Sequence, residues 1–311
     1  MSFAFVFPGQ GSQSVGMLGK VASHPAVRDT LAEASAVLSQ DLAALIAEGP
    51  AEQLNLTTNT QPVMLTAGVA LYRLWLAEGG RRPDCVAGHS LGEYTALVAA
   101  ESLTLADALP LVRFRAQAMQ DAVPVGAGGM AAVLGLEDDA VRAGCAAAAQ
   151  QTGEVVEAVN FNAPGQVVIA GTQTAVARAC ELLKAAGAKR ALPLPVSAPF
   201  HSSLLQSAAE KLRGYLQNVP LQPPAIRLIN NVDVASPTDP QAIRDALSRQ
   251  ACHAVRWVEC VRALAQAGCT TVVECGPGKV LHGLTRRIDP ALQSFALDDA
   301  SVIPSIREAT G

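Results

Sequence analysis

The stretch VAGHSLGEY, residues 86–94, constrains the fold of this 311-residue chain most, because it joins a strand to a helix through a very short turn. A short apolar run at 85–87 leads into GHSLG at 88–92, and residues 93–101 are rich in Ala and Leu, which favour a helix. A G-x-S-x-G sequence between a strand and a helix is the pattern of a nucleophile elbow, whose small residues allow a strained bend that exposes the serine. The sequence therefore predicts an α/β protein in which Ser90 is a nucleophile.

Strands and helices alternate along the first and last parts of the chain. The run FAFVF at 3–7 is a candidate buried strand that stops at Pro8-Gly9, and residues 270–281 form a strand that runs into a Gly-Pro-Gly turn. The periodicity also predicts a strand at 226–232 and helices at 25–48, 62–79, 109–122, 240–250 and 257–267. This alternation predicts a mainly parallel sheet with helices on both faces.

The middle of the chain has a different order of elements, β-α-β-β-α-β. Strands are predicted at 128–136, 155–161, 166–171 and 188–196, and helices at 137–151 and 174–186. This order is the split βαβ pattern of a ferredoxin-like unit. We therefore expect a ferredoxin-like subdomain at 128–197, inserted into a larger catalytic domain made of residues 1–127 and 198–311.

Charge and cysteine usage exclude several classes of function. The formal net charge is −4 and no lysine-rich run occurs, which argues against a nucleic-acid partner. The seven cysteines are scattered and never spaced as C-x-x-C, so neither a disulfide framework nor a zinc site is expected. The apolar start is too short for a signal peptide, and no run is long enough to span a membrane. A soluble cytoplasmic enzyme or binding protein is the expectation.

A nucleophilic serine needs a base, and histidine is the usual one. The chain has five histidines: His24, His89, His201, His253 and His282. His89 flanks Ser90 and should point elsewhere, His24 suits a surface helix start, and His253 suits a structural role near a helix end. His201, in a constrained loop between prolines and a helix start, is favoured as the base, and His282, just after Gly-Pro-Gly, stays a rival.

Several segments, in order along nearly the whole chain, resemble one family. The chain resembles the malonyl-CoA:acyl carrier protein transacylases of type II fatty-acid synthesis, and is similar to the acyltransferase domains of polyketide synthases. The segments are FVFPGQGSQ (5–13), GHSLGEY (88–94), the Arg113–Arg115 region with Met119, NFNAPGQVVIAG (160–171), KRALPLPVSAPFHSS (189–203), NNVD (230–233) and ECGPGKVL (274–281). The resemblance implies an α/β-hydrolase-like large domain with a ferredoxin-like small one.

The resemblance also implies a catalytic dyad without a carboxylate. Ser90 would attack the thioester of malonyl-CoA, and His201 would take its proton and return one to the leaving thiol. Gln250, or a nearby backbone carbonyl, would hold the imidazole. The backbone N–H groups of Gln10 and Leu91 would form the oxyanion hole. No cofactor and no metal are implied.

Selection of malonyl over acetyl would need a cation for the distal carboxylate. Arg115 occupies the family position for this role, and a guanidinium grips a carboxylate in two places, whereas Arg113 is expected to be a solvated helix arginine. Phe200 and Leu91 resemble the pattern of relatives that select malonyl over methylmalonyl. Supporting roles are implied for Gln250, Met119, Phe200 and Asn160.

The implied partners are malonyl-CoA and a phosphopantetheinylated acyl carrier protein, with no nucleic acid, no membrane and a monomeric enzyme. Carrier proteins of this kind are acidic, so basic side chains are candidates for the docking face. They are Lys189, Arg190, Lys279, Arg286 and Arg287.

Three alternatives stay open. The chain could serve a polyketide or other specialised pathway as a stand-alone acyltransferase. It could be an α/β-hydrolase-type esterase with His282 as base and Asp233 or Asp245 before it, although no HGGG-type oxyanion loop occurs. It could also be a non-enzymatic scaffold that shares the fold. Replacing His282 with Ala separates the transacylase from the esterase, because only the esterase would lose its chemistry.

Overall fold

A computed structural model describes residues 2–196 and 198–311. The strands are β1 (Phe3–Phe7), β2 (Cys85–Gly88), β3 (Gly128–Leu134), β4 (Val156–Ala163), β5 (Gln166–Thr172), β6 (Arg190–Pro193), β7 (Arg227–Ile229), β8 (Thr271–Cys275) and β9 (Gln293–Leu297). The α-helices are α1 (Pro25–Leu38), α2 (Leu42–Glu48), α3 (Ala51–Leu54), α4 (Thr57–Ala77), α5 (Gly92–Ala99), α6 (Leu105–Gln120), α7 (Asp138–Thr152), α8 (Gln173–Ala185), α9 (Gln206–Leu216), α10 (Pro240–Gln250), α11 (Trp257–Gln266), α12 (Val280–Ile288) and α13 (Ile303–Thr310).

The chain divides into two compact units. The first contains residues 1–116, 219–242 and 260–311, and the second contains residues 117–218 and 243–259. The second unit thus includes the segment 128–197, which the sequence predicts as a subdomain, together with residues on either side of it.

The first unit is built on a five-stranded sheet in the order β7-β2-β1-β8-β9, in which every pairing is parallel. All five residues of β1 are buried, because the central strand of a parallel sheet has helices on both faces. Phe5 stacks edge-to-face on Tyr72 and Trp75 of α4, and most of that 21-residue helix is itself buried. This packing confirms the predicted α/β class with a mainly parallel sheet.

The parallel strands bring four loops to one edge of the sheet, because each strand ends there. The loops follow Phe7 of β1, Gly88 of β2, Ile229 of β7 and Cys275 of β8. In open α/β sheets, ligand sites lie beyond the carboxyl ends of the strands. The loops after β1 and β2 contain the segments in which the sequence places the oxyanion hole and the nucleophile.

The second unit contains a four-stranded sheet in the order β4-β5-β3-β6, in which every pairing is antiparallel. Helices α7 and α8 cover one face, and their apolar residues pack on Phe161, Val167 and Ile169 in a buried cluster. The β-α-β-β-α-β order and this strand arrangement confirm the predicted ferredoxin-like fold.

The single helix predicted at 25–48 is wrong. The chain leaves α1 at Ser39, which has a left-handed φ of 49°, and α2 begins at Leu42 after Asp41 has capped the N–H of Ala44. Asp and Ser favour such caps and turns over helix interiors, which explains why the helix breaks here. The apolar periodicity nevertheless continues across the three-residue break, and for this reason the sequence predicts one helix. The sequence also leaves α3, α12, β9 and α13 unpredicted.

Among the described residues, no single helix is both long enough and apolar enough to cross a membrane. Helices α1 and α2 together meet the length and composition limits, but their axes differ by 119°.

Candidate active site

The turn between β2 and α5 is so tight that two of its positions require glycine. A Cβ on Gly88 would lie 1.9 Å from the backbone of Gly92, and a Cβ on Gly92 would lie 2.0 Å from the carbonyl oxygen of Phe7. Between them Ser90 has a φ of +53°. A residue other than glycine held in this region costs about 1–3 kcal/mol and marks a functional position when the surroundings enforce it. The strained elbow predicted from the sequence is therefore present.

Ser90 is held from both its backbone and its hydroxyl. Its N–H donates to Asn231 Oδ1 at 2.7 Å, and its Oγ accepts from Arg115 Nη2 at 3.1 Å. Asn231 is absent from the set of site residues that the sequence predicts. Its only sequence signal is the NNVD segment at 230–233, and nothing in the separation of this segment from Ser90 along the chain indicates that the two are close.

Arg115 lies in α6 with 2% of its surface exposed, so it is not a solvated helix arginine. Its Nη1 donates to Gln61 Oε1 at 2.9 Å, and its guanidinium carbon lies 5.3 Å from the centre of the Tyr94 ring. Burial lowers the pKa of Arg115, whereas the nearby Tyr94 and Glu93 raise it. A guanidinium stays protonated even so, and the site therefore holds a buried cation beside Ser90.

Gln61 is a second residue that the sequence analysis leaves out. It is 2% exposed within α4, a helix that is otherwise mostly apolar on all sides. A buried amide among apolar neighbours needs a partner, and here Oε1 accepts from the guanidinium. A polar residue inside such a helix is the signal that could have identified it.

Tyr94 forms an aromatic wall beside the cation. It is fully buried in α5, and burial raises the pKa of its hydroxyl to about 12. The ring therefore stays neutral at physiological pH, and its face attracts the guanidinium of Arg115.

The loop after β1 packs closely against the elbow. A Cβ on Gly9 would lie 2.6 Å from the carbonyl oxygen of His89, and the Gln10 side chain donates to Thr57 Oγ1 at 3.3 Å. A Cβ on Gly276, in the loop after β8, would lie 2.4 Å from Pro8 Cδ. The two residues before Gln10, Pro8 and Gly9, thus pack closely against two neighbouring loops.

Leu91 is the residue immediately before α5, and its side chain is 1% exposed. The first N–H groups of a helix have no acceptor within the helix and carry its positive end. The position therefore suits the predicted oxyanion donor, which would act through its backbone N–H while its side chain packs inside.

His201 belongs to the second unit. It is 4% exposed, has a φ of +66°, and its Nδ1 lies 2.8 Å from the backbone oxygen of Gln250. A carbonyl only accepts, so Nδ1 carries the proton and Nε2 is the basic nitrogen. This is the alternative that the sequence left open for Gln250: its backbone carbonyl holds the ring, while the residue itself is fully buried.

The other predicted supporting residues also lie in the second unit. Met119 near the end of α6 is 1% exposed, and Phe200, which precedes His201, is 9% exposed. Asn160 lies in β4, and its buried Oδ1 has no hydrogen-bond partner within residues 2–196 and 198–311.

Three of the other histidines, His24, His253 and His282, make hydrogen bonds to other residues. His282 Nδ1 lies 2.9 Å from Ser294 Oγ, and burial, Arg286 and Lys279 lower its pKa. His24 caps α1, with Nδ1 accepting from Ala26 N, and His253 Nδ1 lies 2.9 Å from the Arg249 carbonyl.

Arg113 is not the solvated arginine that the sequence predicts. It is half-buried, and its guanidinium donates to Gln40 Oε1 and to the Leu38 carbonyl at the end of α1. Burial lowers its pKa. Helix α6 therefore places Arg113 against α1 and Arg115 beside the nucleophile.

The five candidate docking residues, Lys189, Arg190, Lys279, Arg286 and Arg287, are all exposed. Lys279 forms an ion pair with Asp298 at 3.5 Å. Within the described residues, no group of three His, Cys, Asp or Glu side chains is arranged to hold a metal ion.

Comparison with known proteins gives a consistent result. The acyl transferase domain family matches residues 4–311. The malonyl CoA-acyl carrier protein transacylase of Escherichia coli K12 is 53% identical over 307 residues, which is 98% of this chain and 99% of that protein.

Solved structures agree with the sequence comparison. The acyl-carrier-protein S-malonyltransferase of Burkholderia pseudomallei 1710b is 64% identical, with a TM-score of 0.97 over 99% of this chain and 100% of that one. A malonyl-transacylase in complex with its type II PKS acyl-carrier protein is 47% identical, with a TM-score of 0.97 over 99% of this chain and 100% of that one. This chain therefore belongs to the acyl transferase domain family, and within it to the malonyl-CoA:acyl carrier protein transacylases.

Proposed function

We propose that this enzyme transfers the malonyl group from malonyl-CoA to the phosphopantetheine thiol of an acyl carrier protein through an ester on Ser90. The observation that carries the proposal is the 3.1 Å contact between Arg115 Nη2 and Ser90 Oγ. A buried guanidinium next to the nucleophile fits an acyl group that itself ends in a carboxylate, because guanidinium binds carboxylate with two parallel hydrogen bonds. An esterase for neutral substrates has no use for this cation.

The first half-reaction forms the acyl-enzyme. Ser90 Oγ attacks the thioester carbon as its proton passes to Nε2 of His201, and the C–S bond then breaks. His201 returns the proton to the departing CoA sulfur. The carrier-protein thiol reverses these steps in the second half-reaction, which gives ping-pong kinetics. Atoms and protons balance with these groups alone, so the proposed cycle calls for no metal and no cofactor.

The negative oxygen of each tetrahedral intermediate would be bound by the N–H groups of Leu91 and Gln10. The position of Leu91 at the start of α5 and the close packing of Pro8 and Gly9, just before Gln10, support this assignment. Each such preorganised donor is worth roughly 3–4 kcal/mol. The Gln250 carbonyl takes the place of a third catalytic side chain, since it fixes the tautomer of His201.

Selectivity among acyl donors would depend on bulk as well as charge. Phe200 is the side chain that we assign to exclude an α-methyl group, with Leu91, Met119 and Asn160 in supporting roles. A single methyl group changes discrimination by only about 1–3 kcal/mol, so methylmalonyl-CoA should react slowly rather than not at all.

The exposed basic residues would dock an acidic carrier protein, and the enzyme would work as a cytoplasmic monomer. The seven cysteines are buried and free, which fits a reducing compartment. A relative whose solved structure is a complex with a type II PKS carrier protein supports the polyketide alternative. Assays with fatty-acid and polyketide carrier proteins in parallel separate the two pathways by their relative rates.

Intact-protein mass spectrometry after brief exposure to malonyl-CoA tests the proposal, with acetyl-CoA and methylmalonyl-CoA alongside. We expect a malonyl adduct on the wild type that is absent in Ser90→Ala and much reduced in Arg115→Ala. Equal labelling by acetyl-CoA and malonyl-CoA, or no labelling at all, would contradict it. An adduct that persists in Ser90→Ala would identify a different nucleophile.

A further inference from the structure

A side chain from outside the elbow holds the two peptide groups that lead into Ser90. Asn231 Oδ1 accepts the Ser90 N–H, and Asn231 Nδ2 donates to the Gly88 carbonyl, both at 2.7 Å. Asn231 is fully buried. Hydrogen bonds are stronger and their loss more costly where water is excluded, so this amide is a rigid clamp on the turn.

The topology of the sheet explains how a residue 141 positions away reaches the elbow. Strand β7 runs parallel to β2 with Ile229 opposite Ala87, and Asn231 follows two residues later. It therefore lies beyond the carboxyl end of β7, beside the turn that begins at the carboxyl end of β2.

Asn231 also bonds to Glu93, which follows the nucleophile in the chain. The backbone N–H of Asn231 donates to Glu93 Oε2 at 2.9 Å, and Glu93 lies in the first turn of α5 with 2% of its surface exposed. Asn231 thus bonds to the chain before Ser90, at Ser90 and after Ser90.

This arrangement matters because Ser90 has a φ of +53°, which a serine does not favour. Without the clamp, the backbone would relax toward negative φ, and both Ser90 Oγ and the Leu91 N–H would move with it. The clamp also occupies the Ser90 N–H, which leaves the next N–H along the chain, that of Leu91, as the donor that the elbow offers to an oxyanion.

We propose that Asn231 is a positioning residue for acyl transfer, which fixes the Ser90 hydroxyl and the Leu91 N–H in their reactive orientation. This rests on the proposed function only in its choice of acyl donor, since any reaction of Ser90 needs the same orientation. The bonds described for Asn231 go to the backbone of the turn and to the Glu93 carboxylate, so its proposed effect on the chemistry is exerted through Ser90 and Leu91.

The preceding residue provides a matched control. Asn230 is also buried, but its Oδ1 accepts the N–H groups of Asp233 and Ala235 in its own turn. Asn231→Ala and Asn230→Ala therefore delete the same amide from adjacent buried positions, and only the first deletion frees the elbow. Asn231→Asp keeps the shape and the acceptor for Ser90 but loses the donor to Gly88, and it serves if the alanine variant does not fold.

Single-turnover acylation is measured over a range of malonyl-CoA concentrations. It gives two quantities, the maximal acylation rate and the malonyl-CoA concentration at which half of that rate is reached (the half-saturation concentration). The rate of inactivation by phenylmethanesulfonyl fluoride reports on Ser90 without any carboxylate, since Oγ attacks sulfur and fluoride leaves. We expect both Asn231 variants to lose about 30-fold or more in the maximal acylation rate and in the inactivation rate. The half-saturation concentration of malonyl-CoA should stay within about threefold of the wild-type value. Asn230→Ala should keep both rates within about threefold, whatever its melting temperature.

Three outcomes would overturn the assignment. Folded Asn231 variants with normal maximal rates would show that the elbow keeps its geometry unaided. A change in the half-saturation concentration alone would assign Asn231 to substrate binding. An equal loss of both rates in Asn230→Ala would assign a general structural role. If malonyl-CoA fails to label even the wild type, the proposed function fails, while the sulfonyl fluoride rates still decide the role of Asn231.

Discussion

Arg115 Nη2 donates to Ser90 Oγ across 3.1 Å, so the cation that we propose to bind the distal carboxylate contacts the proposed nucleophile. A malonyl group would replace this contact with two of its own, one to the guanidinium and one to the serine. In the proposed reaction this contact would link substrate selection to catalysis, because the guanidinium that holds the hydroxyl would also bind the distal carboxylate.

Replacing Arg115 with Ala should lower kcat/KM for malonyl-CoA by about 100-fold, or near 3 kcal/mol, because charged hydrogen bonds to the carboxylate are lost. Activity with acetyl-CoA should change far less, so the ratio of the two is the measurement. Arg113→Ala is the control in the same helix, since Arg113 contacts Leu38 and Gln40 instead. A similar change of ratio in both variants would rule out a specific clamp.

Gln61→Leu should raise KM for malonyl-CoA about tenfold with a smaller effect on kcat, since it removes an acceptor that orients Arg115. Steady-state kinetics measure the two constants. Gln40→Leu removes the corresponding partner of Arg113 and should leave KM unchanged. An unchanged KM in Gln61→Leu would mean that Arg115 is oriented without Gln61.

Glu274 should make stability depend on pH. It is fully buried in β8, and desolvation raises its pKa to about 7, although Oε2 accepts from the His282 N–H and this bond lowers the pKa. The folded protein therefore holds a proton that the unfolded chain releases near pH 4.5, so stability falls as pH rises from about 4.5 to 7. The expected loss is about 3 kcal/mol.

Urea unfolding of the wild type and Glu274→Gln at pH 5 and pH 8 measures this effect. The glutamine resembles the protonated acid and keeps an acceptor for α12, so it should remove most of the fall. Equal falls in the two proteins would show that Glu274 is ionised at its ordinary pKa in the folded state.

Gly92→Ala should prevent stable folding or lower the melting temperature by many degrees, since the new Cβ would lie 2.0 Å from the Phe7 carbonyl oxygen. Gly283→Ala in α12 is the matched control, because a Cβ there meets nothing within 4 Å. Alanine stabilises a helix interior by about 0.5–1 kcal/mol relative to glycine, so this variant should melt slightly higher. Calorimetry of both variants checks the contrast, and a well-folded Gly92→Ala would contradict the packing at the elbow.

Local features were predictable because short-range sterics decide them. The run at 3–7 is β1, and the small residues around Ser90 form the strained turn between β2 and α5. The helix predicted across 25–48 shows the limit of this approach, since apolar periodicity continues through Ser39 while the backbone turns. The role of Arg115 came from family resemblance, because nothing in the spacing of α6 separates it from Arg113.

The sequence by itself determined the α/β class, the ferredoxin-like unit, the nucleophile elbow and the identity of Ser90, His201 and Arg115 as candidates. Only the tertiary structure decided what holds them: Asn231 lies 141 residues from Ser90, Gln61 lies 54 residues from Arg115, and the Gln250 carbonyl lies 49 residues from His201. Partners so distant are chosen by strand order and helix packing, which no local pattern encodes. The Gln250 contact uses a backbone carbonyl, a group that every residue carries and that no sequence can therefore single out.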